Sequence, residues 1–530
     1  CTAFSLSSSS PHTMRWLWPF AATTTTTTSG GASDDLVTSM PGFADGWQSV
    51  FSLYSGYLDV DLSGSTLQYS SLRIHYEFHT CQKGDDCPVA VWHQGGPGGS
   101  AVYGAWTEIG PFQVMGGSGA TPNFEEAWNK VAHMLYLESP AGSSISEDET
   151  RQTSFSTCSK RGGKVQRVCS WDDVSQAEAY AYTLKAFYLK FPAYKPRDLY
   201  LVGESYAGQY IPNIATFLVA NPSVLDGKPL AGVAVGNGCF GGGEDYVVCN
   251  GRYAERNDMQ IYHGKGLVST KLYRQVLETC QKLENVTKDG AVLGSAECLA
   301  LVRKAEVSVG DYNIYDVYDN CNLDPQAPNT LKHKKALRDG MGLLPPIPIP
   351  SSSLTSTTAD ADTTTPTAGY PWNCESDPAL DAYFTSPEVM AALHLDGPGS
   401  GFTYSRSGPA SRLLYPELLT QMRVLIYNGD ADLCVPYLGN EQWTTSMVDL
   451  GVAETKEPWH PWFTVDKDEQ RNYAPAGYAT TYNVPNKTYD NAKGDDFAFL
   501  TVRLSGHMVA QYQPDAALNF FTKFLDGVEF

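Results

Sequence analysis

Short apolar segments, each ending in a loop rich in glycine, proline or serine, recur along this chain of 530 residues. They read "PVAVWHQGGPGGS", "KVAHMLYLESPAG", "DLYLVGESYAGQY", "PLAGVAVGNG", "RVLIYNGDADL" and "FAFLTVRLSGHM". Between them, "SQAEAYAYTLKAFYLKFP" has apolar residues at helical spacing and follows Asp172 and Asp173, which are good helix-start residues. Strands that alternate with helices in this way predict an α/β protein, with a mostly parallel central sheet covered by helices on both faces.

The composition changes along the chain and divides it into five parts. Residues 1–33 are a Thr- and Ser-rich tail or the remnant of a signal region, and they are excluded from the predicted fold. Residues 239–342 carry clustered cysteines and helical patterns, which predict an insertion, or cap, over the sheet. Residues 343–369 are rich in Pro, Ser and Thr, which predicts a linker open to proteolytic excision. The sheet itself is predicted to form from residues 34–238 and residues 370–530.

The charge and hydropathy of the chain exclude some classes of partner. The formal net charge is −21 at pH 7, and phosphate groups repel such a surface, so nucleic acid and anionic membranes are poor partners. The sequence contains no run of about 18 apolar residues, so no membrane span is predicted.

Several of the 12 cysteines stand close together in pairs, without the C-x-x-C spacing or nearby histidines of a zinc site. Disulfides formed in an oxidising compartment explain them better than a metal. Glycosylation sequons at Asn285 and Asn486 agree, and we predict a glycoprotein of the secretory pathway. Local spacing suggests the disulfides Cys81–Cys87, Cys158–Cys169 and Cys239–Cys249, and Cys280 and Cys298 are a further close pair.

The segment "DLYLVGESYAGQY" places Ser205 directly after an apolar strand. One interpretation is a plain strand end, at which Gly203 makes a turn and Ser205 caps the next helix. The other is a nucleophile elbow, the sharp strand-to-helix turn that presents a reactive serine. The spacing G-x-S-x-A is near the elbow pattern, with Ala207 at the usual position of a glycine. Ser205 alone leaves both open.

A serine nucleophile needs a base within hydrogen-bond reach and an acid that orients the base. His507 follows the apolar strand "FAFLTVRL", and Asp430 and Asp432 follow "RVLIYNG". Each could be structural on its own. The order Ser, Asp, His, however, is that of the triad in α/β-hydrolases, so we predict a serine hydrolase of the α/β-hydrolase fold with a helical insertion. The backbone of Tyr206 and of the glycines in "HQGGPGG" could supply the oxyanion donors.

A set of short motifs resembles the serine carboxypeptidases, the exopeptidase family that includes carboxypeptidase Y and cathepsin A. The motifs are "YSGYLDV", "GGPGG", "EIGPF", "YLESPAG", "GESYAGQYIP", "GNG", "YNGDADLCVPYLGN" and "GHMVA". The resemblance implies hydrolysis of the C-terminal peptide bond through Ser205 as nucleophile, His507 as general acid and base, and Asp432 as its orienting carboxylate. It implies an oxyanion hole from the N–H groups of Gly96 and Tyr206. It implies no cofactor, no metal, and substrates that are peptides or proteins with a free C-terminus.

The resemblance also implies a site for the carboxylate of the substrate C-terminus. In the family this group is held by an Asn side chain, a glycine N–H and two glutamates, and the matching positions are Gln94, Gly95, Glu108 and Glu204. Carboxylates that face a carboxylate repel one another unless they share a proton, which raises the pKa of at least one of them. Peptide cleavage is therefore expected to be faster at acidic pH.

One departure from the family pattern leaves an alternative open. Gln94 stands where the family has asparagine, which keeps open an acyltransferase that uses an ester donor on the same triad. A non-catalytic binding or chaperone-like protein is the third hypothesis, although every triad residue is present. Met508 beside His507 suggests a pocket for the leaving residue and a preference for hydrophobic C-terminal residues. The oligomeric state stays open, a homodimer included.

The family pattern implies two more disulfides, Cys280–Cys298 inside the insertion and Cys321–Cys374 across the linker. Cys434 is then expected to be a buried free thiol near Asp432. Basic residues in "HKKALRD" could be cut, which would leave two chains joined by Cys321–Cys374. The resemblance places the protein in a lysosome or vacuole, or outside the cell.

Overall fold

A computed structural model of the chain describes residues 31–115, 119–145, 153–242, 247–284, 286, 292–310, 312–318, 378–465, 470, 473–490 and 494–530. The predicted linker 343–369, the cut site in "HKKALRD" and the Cys321–Cys374 pair lie outside these residues. So does the sequon residue Asn285. A short 3-10 helix, Ala32–Asp35, opens the described chain, and Asp35 forms an ion pair with Lys190.

A sheet of twelve strands forms the centre of the molecule, in the order β16-β17-β18-β15-β11-β10-β3-β6-β2-β7-β8, with β1 paired to β2. The six strands from β18 to β6 are parallel to one another, as predicted. The strands of this sheet are β1 Leu53–Asp61, β2 Ser71–His79, β3 Val89–His93, β6 His133–Leu137, β7 Thr157–Lys160, β8 Lys164–Val165, β10 Leu199–Glu204, β11 Gly232–Gly236, β15 Arg423–Gly429, β16 Glu454–Trp462, β17 Gly477–Asn483 and β18 Phe497–Val502.

Both edges of the sheet are antiparallel. The hairpin of β1 and β2 follows the alternating pattern of the sequence, and Tyr54 pairs with Phe78. At the other edge β16 and β17 form a hairpin that the sequence did not predict. Small two-stranded pieces lie outside the main sheet: β4 Phe112–Met115 with β5 Gly119–Pro122, β9 Val168–Asp172 with β14 Gly401–Ser405, and β12 Gly241–Gly242 with β13 Val247–Val248.

Helices cover both faces of the sheet, and each face has its own apolar core. Alternate residues of the parallel strands point to opposite faces, so Leu201 and Val233 belong to one core and Val202 and Ala234 to the other. The helices are α1 Ala101–Thr107, α2 Asp173–Lys190, α3 Ala207–Ala220, α4 Ala254–Gly264, α5 Thr270–Thr279, α6 Ala296–Val309, α7 Pro378–Phe384, α8 Pro387–Ala392, α9 Tyr415–Gln421, α10 Tyr437–Asp449, α11 Val509–Tyr512 and α12 Pro514–Asp526. None of the helices in the described part of the chain is long and apolar enough to cross a membrane.

The insertion has a small apolar core of its own. Helices α4, α5 and α6 bury Met259, Val276 and Val302 against one another, next to the disulfide Cys280–Cys298. This disulfide and the three suggested by local spacing, Cys81–Cys87, Cys158–Cys169 and Cys239–Cys249, are present. The expectation for Cys434 is wrong: it is a disulfide cysteine, not a free thiol.

Candidate active site

Ser205 sits in a sharp turn between β10 and α3. Its φ of 59° lies in the left-handed region, which residues other than glycine rarely adopt and which a nucleophile elbow requires. The turn is also tight, because a Cβ atom at Gly203 would lie 2.2 Å from the carbonyl oxygen of His93. The N–H of Ser205 donates to the carbonyl of Gly236 over 2.9 Å, which ties the turn to the end of β11. The side chain of Ser205 is half-buried.

Asp432 and His507 meet at the ends of the neighbouring strands β15 and β18. Nδ1 of His507 lies 2.7 Å from Oδ2 of Asp432, and both side chains are buried. The backbone N–H groups of Cys434 and Val435 also donate to Asp432, over 2.7 and 3.1 Å. Counting His507 and the side chain described next, the carboxylate of Asp432 faces four hydrogen-bond donors. Asp430 instead accepts from the N–H of Leu504 and faces Lys265, so it takes no part in this contact.

Asn237 is the fourth donor to Asp432, and the sequence analysis assigned it no role. Its Nδ2 lies 2.6 Å from Oδ2 of Asp432, the oxygen that also contacts His507. The motif "GNG" at the end of β11 was part of the family resemblance, but nothing local in it reveals a contact with a residue 195 positions away.

The predicted triad also requires a hydrogen bond between His507 and Ser205. Nε2 of His507, the atom that would accept the serine proton, is buried and makes no hydrogen bond to any described residue. The structure thus brings Asp432 and His507 together and records no hydrogen bond from His507 to Ser205. Catalytic hydrogen bonds are often long without substrate and shorten when it binds.

The glycines of "HQGGPGG" lie directly against the elbow. A Cβ atom at Gly95 would lie 2.5 Å from Cβ of Ser205 and 2.7 Å from the backbone nitrogen of Tyr206. Only glycine permits this approach. Gly96 follows with a φ of 114° and is exposed. The contact of Gly95 thus places the loop that carries Gly96 beside the backbone of Tyr206, and the oxyanion hole of Gly96 and Tyr206 stays a prediction.

Gln94, Glu108 and Glu204 form a buried cluster beside the elbow. Nε2 of Gln94 donates to Oε1 of Glu204 over 2.8 Å and to Oε1 of Glu108 over 3.2 Å. Burial, and then the charge of Glu108, raise the pKa of Glu204 well above its ordinary value. One proton shared between two carboxyls explains how both can be buried together.

The longer side chain of Gln94 fits because of a second glycine. Oε1 of Gln94 accepts from Nε1 of Trp92 over 2.8 Å, which leaves the amide nitrogen for the two glutamates. A Cβ atom at Gly104 in α1 would lie 2.7 Å from this Oε1 and 2.4 Å from Nε1 of Trp92. The absent side chain at position 104 therefore leaves room for the amide oxygen of Gln94 and for the Trp92 ring, a contact that the sequence analysis missed.

The remaining predicted residues lie as follows. Met508 is buried and directly follows His507, at the start of α11. Asn486 lies exposed in a turn after β17, where a glycan could be attached. Asp432, His507 and Cys434 have potential metal-binding atoms within 4.8 Å of one another. They do not suit a metal ion, because Cys434 is a disulfide cysteine and the Asp432 oxygens are occupied by four donors.

Comparisons with known proteins agree with this geometry. A family model described as serine carboxypeptidase matches residues 41–527. Serine carboxypeptidase 1 of Hordeum vulgare is 27% identical over 525 residues, covering 93% of this chain and 92% of that protein. Lysosomal protective protein of Mus musculus is 28% identical over 515 residues, covering 93% and 94%. The crystal structure of Kex1(delta)p, a prohormone-processing carboxypeptidase from Saccharomyces cerevisiae, is similar in fold, with a TM-score of 0.59 at 19% identity, covering 94% of this chain and 96% of that one.

Proposed function

The chain belongs to the serine carboxypeptidase family of α/β-hydrolases, and on that premise we propose that it removes C-terminal residues from peptides and proteins through an acyl-enzyme on Ser205. The cluster of Gln94, Glu108 and Glu204 carries this proposal. Glu204 directly precedes the serine, and the cluster suits a free carboxylate. A hydrolase without end selectivity has no need for two buried glutamates at this place.

The proposed reaction begins at Ser205. Nε2 of His507 takes the proton of Oγ while Oγ attacks the carbonyl carbon of the last peptide bond, and Asp432 stabilises the imidazolium that forms. The N–H groups of Gly96 and Tyr206 donate to the oxyanion. His507 then gives the proton to the leaving nitrogen, the C-terminal amino acid departs, and an ester with Ser205 remains. Water, deprotonated by His507, hydrolyses the ester and restores the serine.

The carboxylate of the substrate C-terminus would bind to the shared proton of Glu108 and Glu204 and to the N–H of Gly95, and it would take one of the two Nε2 hydrogens of Gln94 away from a glutamate. Without substrate, Nε2 of Gln94 already donates to both glutamates, so the amide is oriented before substrate arrives. An orienting site costs less to fill when its groups are already in place. This arrangement supports a carboxypeptidase rather than an acyltransferase, for which a carboxylate site has no use.

Three finer points belong to the same proposal. The preference for hydrophobic leaving residues rests on the position of the apolar Met508 directly after His507. Four disulfides between described residues, the disulfide-bonded Cys434 and the exposed sequon at Asn486 support the secretory pathway, and the name of the lysosomal relative supports a lysosome or vacuole. The apolar core that α4, α5 and α6 form apart from the cores of the sheet supports the proposed division into an α/β-hydrolase core and a cap.

Mass spectrometry of a peptide mixture before and after incubation tests the proposal. Peptides with a free C-terminus should lose single residues from that end, hydrophobic ones first, while the same peptides with a C-terminal amide should stay largely intact. Ser205→Ala should remove the activity, and Ser55→Ala, at a buried serine of β1 whose hydroxyl contacts His75 and Leu393, is the matched control. Internal cleavage, or faster turnover of a glucose ester donor than of any peptide, would contradict the proposal.

A further inference from the structure

The side chain of Asn237 contacts the carboxylate that orients His507. Asn237 follows β11 directly, is fully buried, and has a φ of 42°, a left-handed conformation that asparagine tolerates better than most residues. Its Nδ2 lies 2.6 Å from Oδ2 of Asp432, and Nδ1 of His507 lies 2.7 Å from the same oxygen. A single carboxylate oxygen therefore connects Asn237 to His507.

The backbone fixes which end of the Asn237 amide faces Asp432. Oδ1 of Asn237 accepts from the N–H of Gly429 over 3.0 Å. A backbone N–H can only donate, so the amide oxygen must face Gly429 and the amide nitrogen must face Asp432. The backbone N–H of Asn237 also donates to the carbonyl of Tyr427 over 2.8 Å. Both the chain and the side chain of Asn237 are thus attached to the end of β15.

The residue before Asn237 contacts the nucleophile turn. The carbonyl of Gly236 accepts from the N–H of Ser205 over 2.9 Å. Two successive residues therefore touch the backbone of Ser205 and the side chain of Asp432. The donors at Cys434 and Val435, by contrast, belong to the same loop as Asp432 and would move with it.

We propose that Asn237 is a positioning residue of the reaction, whose amide holds Oδ2 of Asp432 in place to accept the hydrogen bond from Nδ1–H of His507. The inference rests on the proposed function of Ser205, Asp432 and His507. Because Asn237 is continuous with Gly236, it sets the position of the carboxylate relative to the turn that carries the nucleophile. The hydrogen bond matters most when His507 becomes positively charged, since the charge-assisted contact with Asp432 then strengthens.

Two substitutions test this role. Asn237→Gly and Asn237→Ala both remove the amide that contacts Asp432, and glycine keeps the left-handed backbone without strain. For a peptide with a free C-terminus, both should lower kcat roughly ten- to hundred-fold, the range expected for a hydrogen bond to a charged group, and leave KM within about two-fold. The carboxylate site at Gln94 is untouched, so substrate binding should persist.

Asn440→Ala is the matched control. Asn440 is also buried, and its Nδ2 donates to the carbonyl of Gly238, next to Asn237, while its Oδ1 accepts from Trp443. It makes no contact with Asp432. Asn440→Ala should lower the melting temperature and leave kcat unchanged. Substitution of Asn237 would give this same result if Asn237 had only a structural role.

A double-mutant cycle gives the second readout. In an Asp432→Ala background Asn237→Ala should have no further effect on kcat, because the oxygen it positions is gone. The proposal is overturned if kcat of both single variants stays within two-fold of the wild type, or if Asn237→Ala costs as much in the Asp432→Ala background. It is also overturned if neither variant accumulates as folded protein while Asn440→Ala does, since Asn237 is then a folding residue. An active Ser205→Ala protein, measured in parallel, would instead disprove the proposed function itself.

Discussion

Glu204 is buried beside a second carboxyl, and its protonation should govern how well a peptide binds. Burial and Glu108 raise the pKa of Glu204, so the pair keeps its shared proton to higher pH than an ordinary carboxyl would. A substrate carboxylate is attracted by the protonated pair and repelled by two ionised glutamates. Asp432, which lies near enough to raise the same pKa further, adds to the repulsion at high pH.

The expected result is a KM for peptides that rises as pH increases through the raised pKa of Glu204. Measured from about pH 4 to about pH 8, KM should rise for a peptide with a free C-terminus, while the inhibition constant of the matching, uncleaved C-terminal amide should stay flat. Glu204→Gln should flatten the first profile, because the amide of glutamine does not titrate. A KM for the free peptide that falls toward pH 8 would contradict this assignment.

At the scale of single residues, the sequence singled out residues that lie within one motif and assigned nothing to those whose contacts are distant in the chain. Ser205, Gly95 and Glu204 follow from the motifs around them and from the family resemblance. Asn237 contacts a residue 195 positions away, and Gly104 makes room for Gln94 across a helix. Cys434 was misassigned because the pairing of cysteines cannot be deduced from spacing alone.

At the scale of elements, a short piece of the insertion contacts both loops that carry the acid and the base. The carbonyl of Tyr315 accepts from the N–H of His507 over 2.7 Å, and the carbonyl of Ile314 accepts from Leu433 over 2.9 Å. The N–H of Val317 donates to Ala431 over 3.1 Å. The ring of Tyr315 also lies 5.0 Å from the ring of His507, centre to centre.

Tyr315→Ala should therefore lower kcat by roughly three- to ten-fold, the range expected for the loss of one ring contact. Tyr315→Phe keeps the ring and should retain most of the activity. Tyr312→Ala is the control, because that ring contacts Tyr262 within the insertion rather than His507. Equal losses in Tyr315→Ala and Tyr312→Ala, measured as kcat on one peptide, would show that the ring beside His507 has no special effect.

Elements with a regular pattern were predicted, and the hairpin of β16 and β17 was not. The parallel strands are continuous apolar runs because both of their faces are buried. The segment β16 reads "ETKEPWHPW", and its two prolines and charged residues argue against a strand in the middle of a sheet. It lies at the sheet edge, where proline is tolerated because its missing N–H faces away from the neighbour, so only the tertiary position explains it.

At the scale of the whole molecule, the insertion has a separate core and should unfold before the sheet when it is weakened. Cys280–Cys298 spans 18 residues inside that core, and the loss of such a disulfide costs about 3 kcal/mol. In Cys280→Ser/Cys298→Ser protein, activity should be lost at a lower temperature than the one at which the core melts. The reason is that residues 314–317, which contact the loops of Asp432 and His507, belong to the insertion.

Comparing thermal inactivation with near-UV circular dichroism measures the gap between the two events. Cys81→Ser/Cys87→Ser is the control, since that disulfide closes a loop between β2 and β3 in the core. In the control, activity and melting should be lost together. Coincident loss in the Cys280/Cys298 variant as well would mean that insertion and sheet unfold as one unit.

The strand order has a consequence for how this enzyme could be divided. Strand β11 pairs with β15 across the whole insertion, so Ser205, Gly96 and Glu204 come from one segment of chain and Asp432 and His507 from another. A break anywhere between Gly236 and Arg423 yields two fragments, each with an unpaired strand and half of a reaction centre. Neither fragment is an enzyme, and each is the template on which the other completes its sheet. The central sheet and the reaction centre thus each require both segments of the chain, one before the insertion and one after it.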